Sequence, residues 1–316
     1  MNPDKQPSID KWQQLAAIVN QQALAFNPHA GRQFTIMVFS RALTENSVIF
    51  LLQYTGLMMS TLLAHPSFLW LASGTASAYV FMRGPSVLPG IWLGCFLAYF
   101  YAGVGFIPAA LCALVLSLQA LALLWLSYRY ISPTLIFYRP WPFVKFIIIT
   151  LILTAISTLL LDLLCYSQPP ADWTPLQLWQ QGWLANFNGI VLISCAIVTW
   201  DMYFPQVHSL RQLSKIKLGF LYGLLFIIIL AFLTSHTLPN IILFAITTLP
   251  LILLISTSLG WCGTVAAAFI LGISLSLGAY LEAPLFALSL SPKTFLFLQY
   301  LFGIEITLGV FAALTS

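Results

Sequence analysis

The chain has 316 residues, of which 60% are hydrophobic and 6% charged. A soluble domain carries about a quarter charged residues, so this chain cannot clothe a water-facing surface and is expected to sit in a membrane. Its formal net charge of +4 is spread over short loops, where it sets topology and is no signal of nucleic-acid binding.

The apolar runs are continuous and about 20 residues long, which is helix length for a bilayer. An outer-membrane barrel would need short alternating segments instead. The runs cover almost everything after residue 45. The expected fold is therefore all-α: a polytopic transmembrane helical bundle of about ten spans. Residues 1–45 form a cytoplasmic N-terminal segment and 46–316 the bundle.

Residues 1–33 are too polar and too rich in Gln for a cleaved signal peptide. Ile9, Trp12, Ala16, Val19, Ala23 and Phe26 recur at intervals of three and four, one apolar face of a helix. Such a helix lies on the membrane, docks a partner or packs on the protein's own loops. Asn27-Pro28-His29-Ala30-Gly31 breaks it. Residues 34–45 then lead into the first span, with Arg41 and Glu45 spaced to pair on one helix face.

The expected spans are about 46–64, 67–83, 86–104, 107–128, 143–165, 183–203, 217–235, 239–257, 261–281 and 293–314. The second and third are short. They run from Phe68 to Leu97 and are broken once, at Arg83-Gly84-Pro85. Trp70 and Gly74 open the first arm; Pro89, Gly90 and Gly94 lie early in the second. Small residues at this spacing let helix backbones approach closely, which predicts a tight helical hairpin on which later helices pack. Ser167 to Gly182 reads as a polar loop holding Trp173 and Trp179. With ten spans, every one of the 12 basic residues except Lys293 falls on the N-terminal side. By the positive-inside rule both termini are cytoplasmic.

Three segments resemble the bacterial membrane-associated sensor domain of the MASE family, type one. They are Trp70-x-x-Ser73-Gly74, then Leu88-Pro89-Gly90-x-x-x-Gly94-x-Phe96-Leu97-Ala98, and Trp183-Leu184-Ala185-Asn186-x-x-Gly189. The resemblance covers about residues 46–314. It departs where the family carries Asp for Asn186, Glu for Gln119, Asn near Leu116 and Pro for Cys195. Each change takes a charge, a polar group or a helix distortion out of the bundle.

The resemblance implies a sensory module of the bacterial inner membrane. In the family such domains precede histidine kinases, diguanylate cyclases and phosphodiesterases. Here the chain stops at Ser316, so the expectation is a sensor acting in trans on a histidine kinase or cyclic-dinucleotide enzyme.

Glu305 lies in the middle of the last span. A charge at the bilayer centre costs about 3 kcal/mol on insertion scales, so Glu305 is the first candidate for ligand binding or coupling. The alternative is a hydrogen-bonded packing residue. Asn186 and Asn188 straddle two faces of the sixth span; Asn186, near Trp183, is the better candidate to line a polar pocket, with Gln119 facing it. Buried amide pairs in membranes are often structural, worth about 1 kcal/mol. Asp162 reaches the outer interface, and His65 and His236 fall in outer loops. Cys95, Cys112, Cys165, Cys195 and Cys262 show neither metal nor redox spacing and read as small apolar residues. No phosphate loop, nucleophile elbow or zinc helix is present in the sequence. A non-enzymatic module without metal or cofactor is expected. The rivals are a small-solute transporter lined by Glu305, Asn186 and Gln119, and a scaffold that binds no ligand.

Overall fold

The computed structural model of the chain describes residues 28–62, 69–131, 136, 139–165, 174–203, 219, 222–229, 239–280 and 292–315. The amphipathic stretch 9–26, His65, Trp173, the basic loop of Arg211, Lys215 and Lys217, and His236 lie outside the described residues. The side chains of Cys262 and Lys293 do as well. All regular structure among the described residues is helical.

Helix α1 (Pro28–Leu62) begins at a proline, which lacks the N–H that a first helical turn leaves unpaired. The helix thus starts within Asn27–Gly31, and the expected lead-in and first span form one helix. The chain divides into two compact units, Met1–Glu45 and Asn46–Ser316. In the first, Arg41 Nε donates to Glu45 Oε1 at 3.0 Å on an exposed face.

In the second unit, α2 (Leu71–Arg83) and α3 (Leu88–Tyr101) are joined by a 3-10 turn, Gly84–Val87. Gly84 sits at φ 73°, left-handed backbone that glycine adopts without penalty. With 13 and 14 residues, each arm is about 20 Å long, shorter than the roughly 30 Å hydrocarbon core. The arms run in opposite directions, and α1 shows it. Asn46 and Phe50 of α1 lie against Gly90 and Gly94 in the same order. Gln53 and Gly56 lie against Thr75 and Ala72 in the reverse order.

The expected tight hairpin is therefore looser than its glycines suggest. The arms touch each other little, because Gly90 and Gly94 give their space to α1. A Cβ on Gly90 would stand 2.5 Å from the Asn46 carbonyl, and one on Gly94 2.6 Å from that of Phe50. Buried Gln53 joins α1 to both arms. Its Nε2 donates to the Ala72 carbonyl (2.9 Å) and to Thr75 Oγ1 (2.8 Å), while Cys95 Sγ donates to its Oε1 (3.5 Å). Asn46 caps α3 from outside: Oδ1 accepts the Gly90 N–H at 2.7 Å, and Nδ2 donates to the Ser86 carbonyl at 3.0 Å. Val87, at the N-cap itself, has no side-chain acceptor to offer.

Helices α4 (Phe106–Tyr130), α5 (Pro140–Leu164) and α6 (Pro175–Tyr203) follow. Helix α6 starts inside the segment expected to be a loop. Thr174 Oγ1 accepts the Gln177 N–H (3.3 Å), and Gln177 Oε1 accepts the Thr174 N–H (2.9 Å). With Pro175 between them this is a capping box, so Trp179 is helical. Of the most apolar 18-residue window within Pro175–Val198, 83% is buried, which makes α6 the central helix.

Residues 222–229 are helical, and α7 (Pro239–Tyr280) and α8 (Pro292–Thr315) complete the described elements. Helical run α7 doubles back. A Cβ on Gly309 of α8 would meet Ile252 Cγ2 at 2.5 Å and Thr264 Cγ2 at 3.1 Å. A straight helix would hold residues 252 and 264 about 18 Å apart.

Five stretches among the described residues are long and apolar enough to cross a membrane: Leu71–Tyr101, Phe106–Tyr130, Pro140–Leu164, Pro175–Val198 and Phe295–Thr315. The first of these holds the two short arms and their reversal. Thr247–Ser258 and Gly263–Leu275 are shorter apolar helices. The surface agrees with lipid contact. Helix α5 turns Ile148, Ile152 and Ile156 outward, each more than half exposed, and buries Thr150, Thr154 and Thr158. Water would reject so apolar an exterior; hydrocarbon accepts it.

Candidate functional site

The candidate site is a polar seam along α6, and it begins with Asn186. Completely buried, Asn186 forms a reciprocal amide pair with Gln119 of α4: each Nε2 or Nδ2 donates to the other's oxygen at 3.0 Å. Asn186 Nδ2 also lies 3.3 Å from Ser157 Oγ and 3.4 Å from Thr158 Oγ1 of α5. In a bilayer these groups have no water to turn to, so the chain supplies partners from three helices. Both amides are satisfied within the cluster, so a ligand here must exchange a hydrogen bond to enter.

Asn188 lies on the other face of α6. Its Nδ2 donates to the Gln299 carbonyl of α8 at 3.2 Å, and Gln299 Nε2 reaches the Gln181 carbonyl at 3.5 Å. Asn188 Oδ1 is buried without a hydrogen-bond partner. It faces Gly303, where a Cβ would stand 2.7 Å away. Six residues further along α6, Ser194 Oγ donates to the Gly74 carbonyl of α2 at 3.3 Å.

Glu305 is 1% exposed and accepts the Thr248 hydroxyl at 2.5 Å, joining α8 to α7. It does not share a site with the Gln119–Asn186 pair. The polar groups expected to converge among three spans thus form separate clusters strung along α6 and α8. Trp183 leaves the seam: it stacks on Trp179 (5.3 Å between centroids), and its Nε1 donates to the Leu151 carbonyl at 3.1 Å. Asp162 is half-buried near the end of α5.

The motif residues form helix crossings. The Trp70 N–H donates to the Ala185 carbonyl at 3.0 Å. Just beyond, Gly74 and Gly189 bring α2 and α6 into backbone contact: a Cβ on Gly74 would strike the Gly189 carbonyl, and one on Gly189 the Trp70 carbonyl. Pro89 lies exposed in the first turn of α3, while Gly90 and Gly94 face α1. Sequence reasoning missed Asn46, Gln53, Thr248, Gln181 and Gln299. Gln53 and Gln299 carried a usable signal, because each is an amide inside an apolar run.

Among the described residues, no group of three or more His, Cys, Asp or Glu is placed to hold a metal ion. The fold and the seam define a multi-pass helical membrane protein whose buried polar side chains mostly hydrogen-bond across helices. No family model, curated protein or solved structure matches the chain.

Proposed function

We propose that the chain is a non-enzymatic sensory module of a bacterial inner membrane, of the type-one MASE kind. In this reading it has about ten spans and both termini in the cytoplasm. The observation that supports it is the meeting of two landmark motifs far apart in sequence. Trp70 bonds to Ala185, and Gly74 packs on Gly189, so two independently recognised segments are the two sides of one crossing.

A small or apolar ligand, or a membrane protein partner, prefers one of two bundle packings and so shifts their balance. Gln119 and Asn186 are neutral where the resembled family has acids. The seam therefore responds by exchanging hydrogen bonds, without separating charges. The Glu305–Thr248 contact couples α8 to α7. The output is a histidine kinase or a cyclic-dinucleotide enzyme.

Affinity purification of the full-length protein from cross-linked native membranes tests this reading. Recovery of such an enzyme is expected. Recovery of the chain alone, with solute accumulation by proteoliposomes, would overturn it in favour of a transporter.

A further inference from the structure

The short arm α3 leaves a recess beside the long helix α4. Both helices leave the same turn, residues 102–105, and pack on each other. With 25 residues to the 14 of α3, α4 overhangs the start of α3 by about 16 Å. At the foot of the overhang lies a groove of about 300 Å³. Leu88, Pro89 and Trp92 of α3 form one wall, and Leu114, Leu118 and Leu121 of α4 the other. The first turn of α3 thus faces the middle of α4, as the difference in length requires. We propose that this groove holds an acyl chain of an anionic glycerophospholipid, whose head group is drawn by Arg83 and Arg129.

The lining selects hydrocarbon. Ser117 carries the one hydroxyl on it, and that hydroxyl donates to the Ala113 carbonyl at 2.8 Å. Trp92 stacks on Phe96, with 5.3 Å between centroids, which fixes the α3 wall. Leu114 and Leu118 are 44% and 52% exposed, so the groove is open sideways and a chain enters it from the bilayer. A ligand with a polar group in this part would lose its hydrogen bonds to water and gain none.

The polar end of the occupant is set by what stands beyond the groove. Leu114, Leu118, Leu121, Trp125 and Tyr128 follow at intervals of three and four, one stripe of a helix. Trp125 and Tyr128 are exposed, and such aromatics sit at head-group level. Arg129 follows Tyr128, and Arg83 closes α2, which also packs on α4; both arginines are exposed. An arm of about 20 Å leaves its end inside a hydrocarbon core of about 30 Å. An arginine at that depth draws head groups inward by local thinning. Residues 83–88 and 125–131 hold two arginines and no acid, so the complementary charge in a bilayer is a net-negative head group.

The test is photolabelling of the full-length protein in phosphatidylcholine vesicles. One sample holds a trace of phosphatidylglycerol with a diazirine on its acyl chain, the other a trace of phosphatidylcholine with the same group. Labelling of peptides that hold residues 88–92 and 114–121 is measured against the α5 peptide of Ile148, Ile152 and Ile156, an exposed apolar face. The phosphatidylglycerol probe is expected to favour the groove over α5 at least about fivefold more than the phosphatidylcholine probe does, the discrimination that one arginine near a membrane surface supplies. The double variant Arg83→Gln, Arg129→Gln should lose that preference and keep groove labelling by both probes. The comparison of probes on wild type needs no variant, so it stands whether or not the double variant folds. Equal ratios for the two probes on wild type would overturn the proposal in favour of ordinary lipid contact. Groove peptides labelled by neither probe would overturn it in favour of a second copy covering the groove. A preference that survives in the double variant would overturn the role of the arginines.

Discussion

Gly74 and Gly189 stand face to face where α2 crosses α6, with no room for a methyl group on either. A Cβ on Gly74 would also lie 2.5 Å from Ile193 Cβ, so the obstacle is rigid on both sides. Overpacking at such a point costs about 1–3 kcal/mol. Gly74→Ala and Gly189→Ala are each expected to lower the thermal midpoint of the purified protein in detergent. Gly223→Ala is the control, because nothing lies within 4 Å of its added Cβ and alanine favours a helix by about 1 kcal/mol. Equal midpoints for all three would contradict the crossing.

The Gln119–Asn186 pair makes a sharper prediction. Removing one amide leaves the other buried and unmatched, while removing both leaves a smaller debt. Asn186→Leu and Gln119→Leu should each destabilise the bundle, and the double variant should be less harmed than the sum. The coupling read from the cycle should be about 1 kcal/mol, as for other interhelical bonds in membranes. Strict additivity would mean that the pair does not act as a unit.

Asn46 reaches across from α1 to supply the cap that α3 lacks. Loss of an N-cap side chain costs about 1 kcal/mol. Asn46→Ala should lower stability by that amount, and Asn46→Asp, which keeps the oxygen for the Gly90 N–H, should lose less. Denaturation of the variants in matched detergent measures the difference. Gly90→Leu, which collides with the Asn46 carbonyl and with Ile49 Cγ2 at 2.6 Å, should prevent assembly.

Much of the bundle was legible in its apolar runs, because a bilayer fixes helix length and leaves few alternatives. The pairing of Gln119 with Asn186 was legible too: both are amides in apolar spans, and amides there must find one another. The partners of the glycines were not. Spacing tells that Gly90 and Gly94 allow close approach; it carries no information about which backbone comes close, and α1 takes the place that α2 was expected to fill. The early start of α6 was written in Thr174-Pro175-Leu176-Gln177, but the surrounding polar residues masked it as a loop. Glu305 and Asn186 hydrogen-bond to different helices. Asn186 is met by Gln119 of α4 and Glu305 by Thr248 of α7, a partner that the sequence does not assign.

In the proposed reading the Glu305–Thr248 contact carries the signal between α8 and α7. Glutamine keeps an oxygen to accept the Thr248 hydroxyl, so Glu305→Gln should assemble and reach the membrane at wild-type levels. The direct measurement is kinase phosphorylation or cyclic-dinucleotide level in native cells carrying wild type or Glu305→Gln at matched abundance. A change of about fivefold or more is expected, the lower end of ordinary allosteric coupling. Identical output from the two proteins would contradict a coupling role for Glu305 and, with it, the proposed route of the signal through α7 and α8.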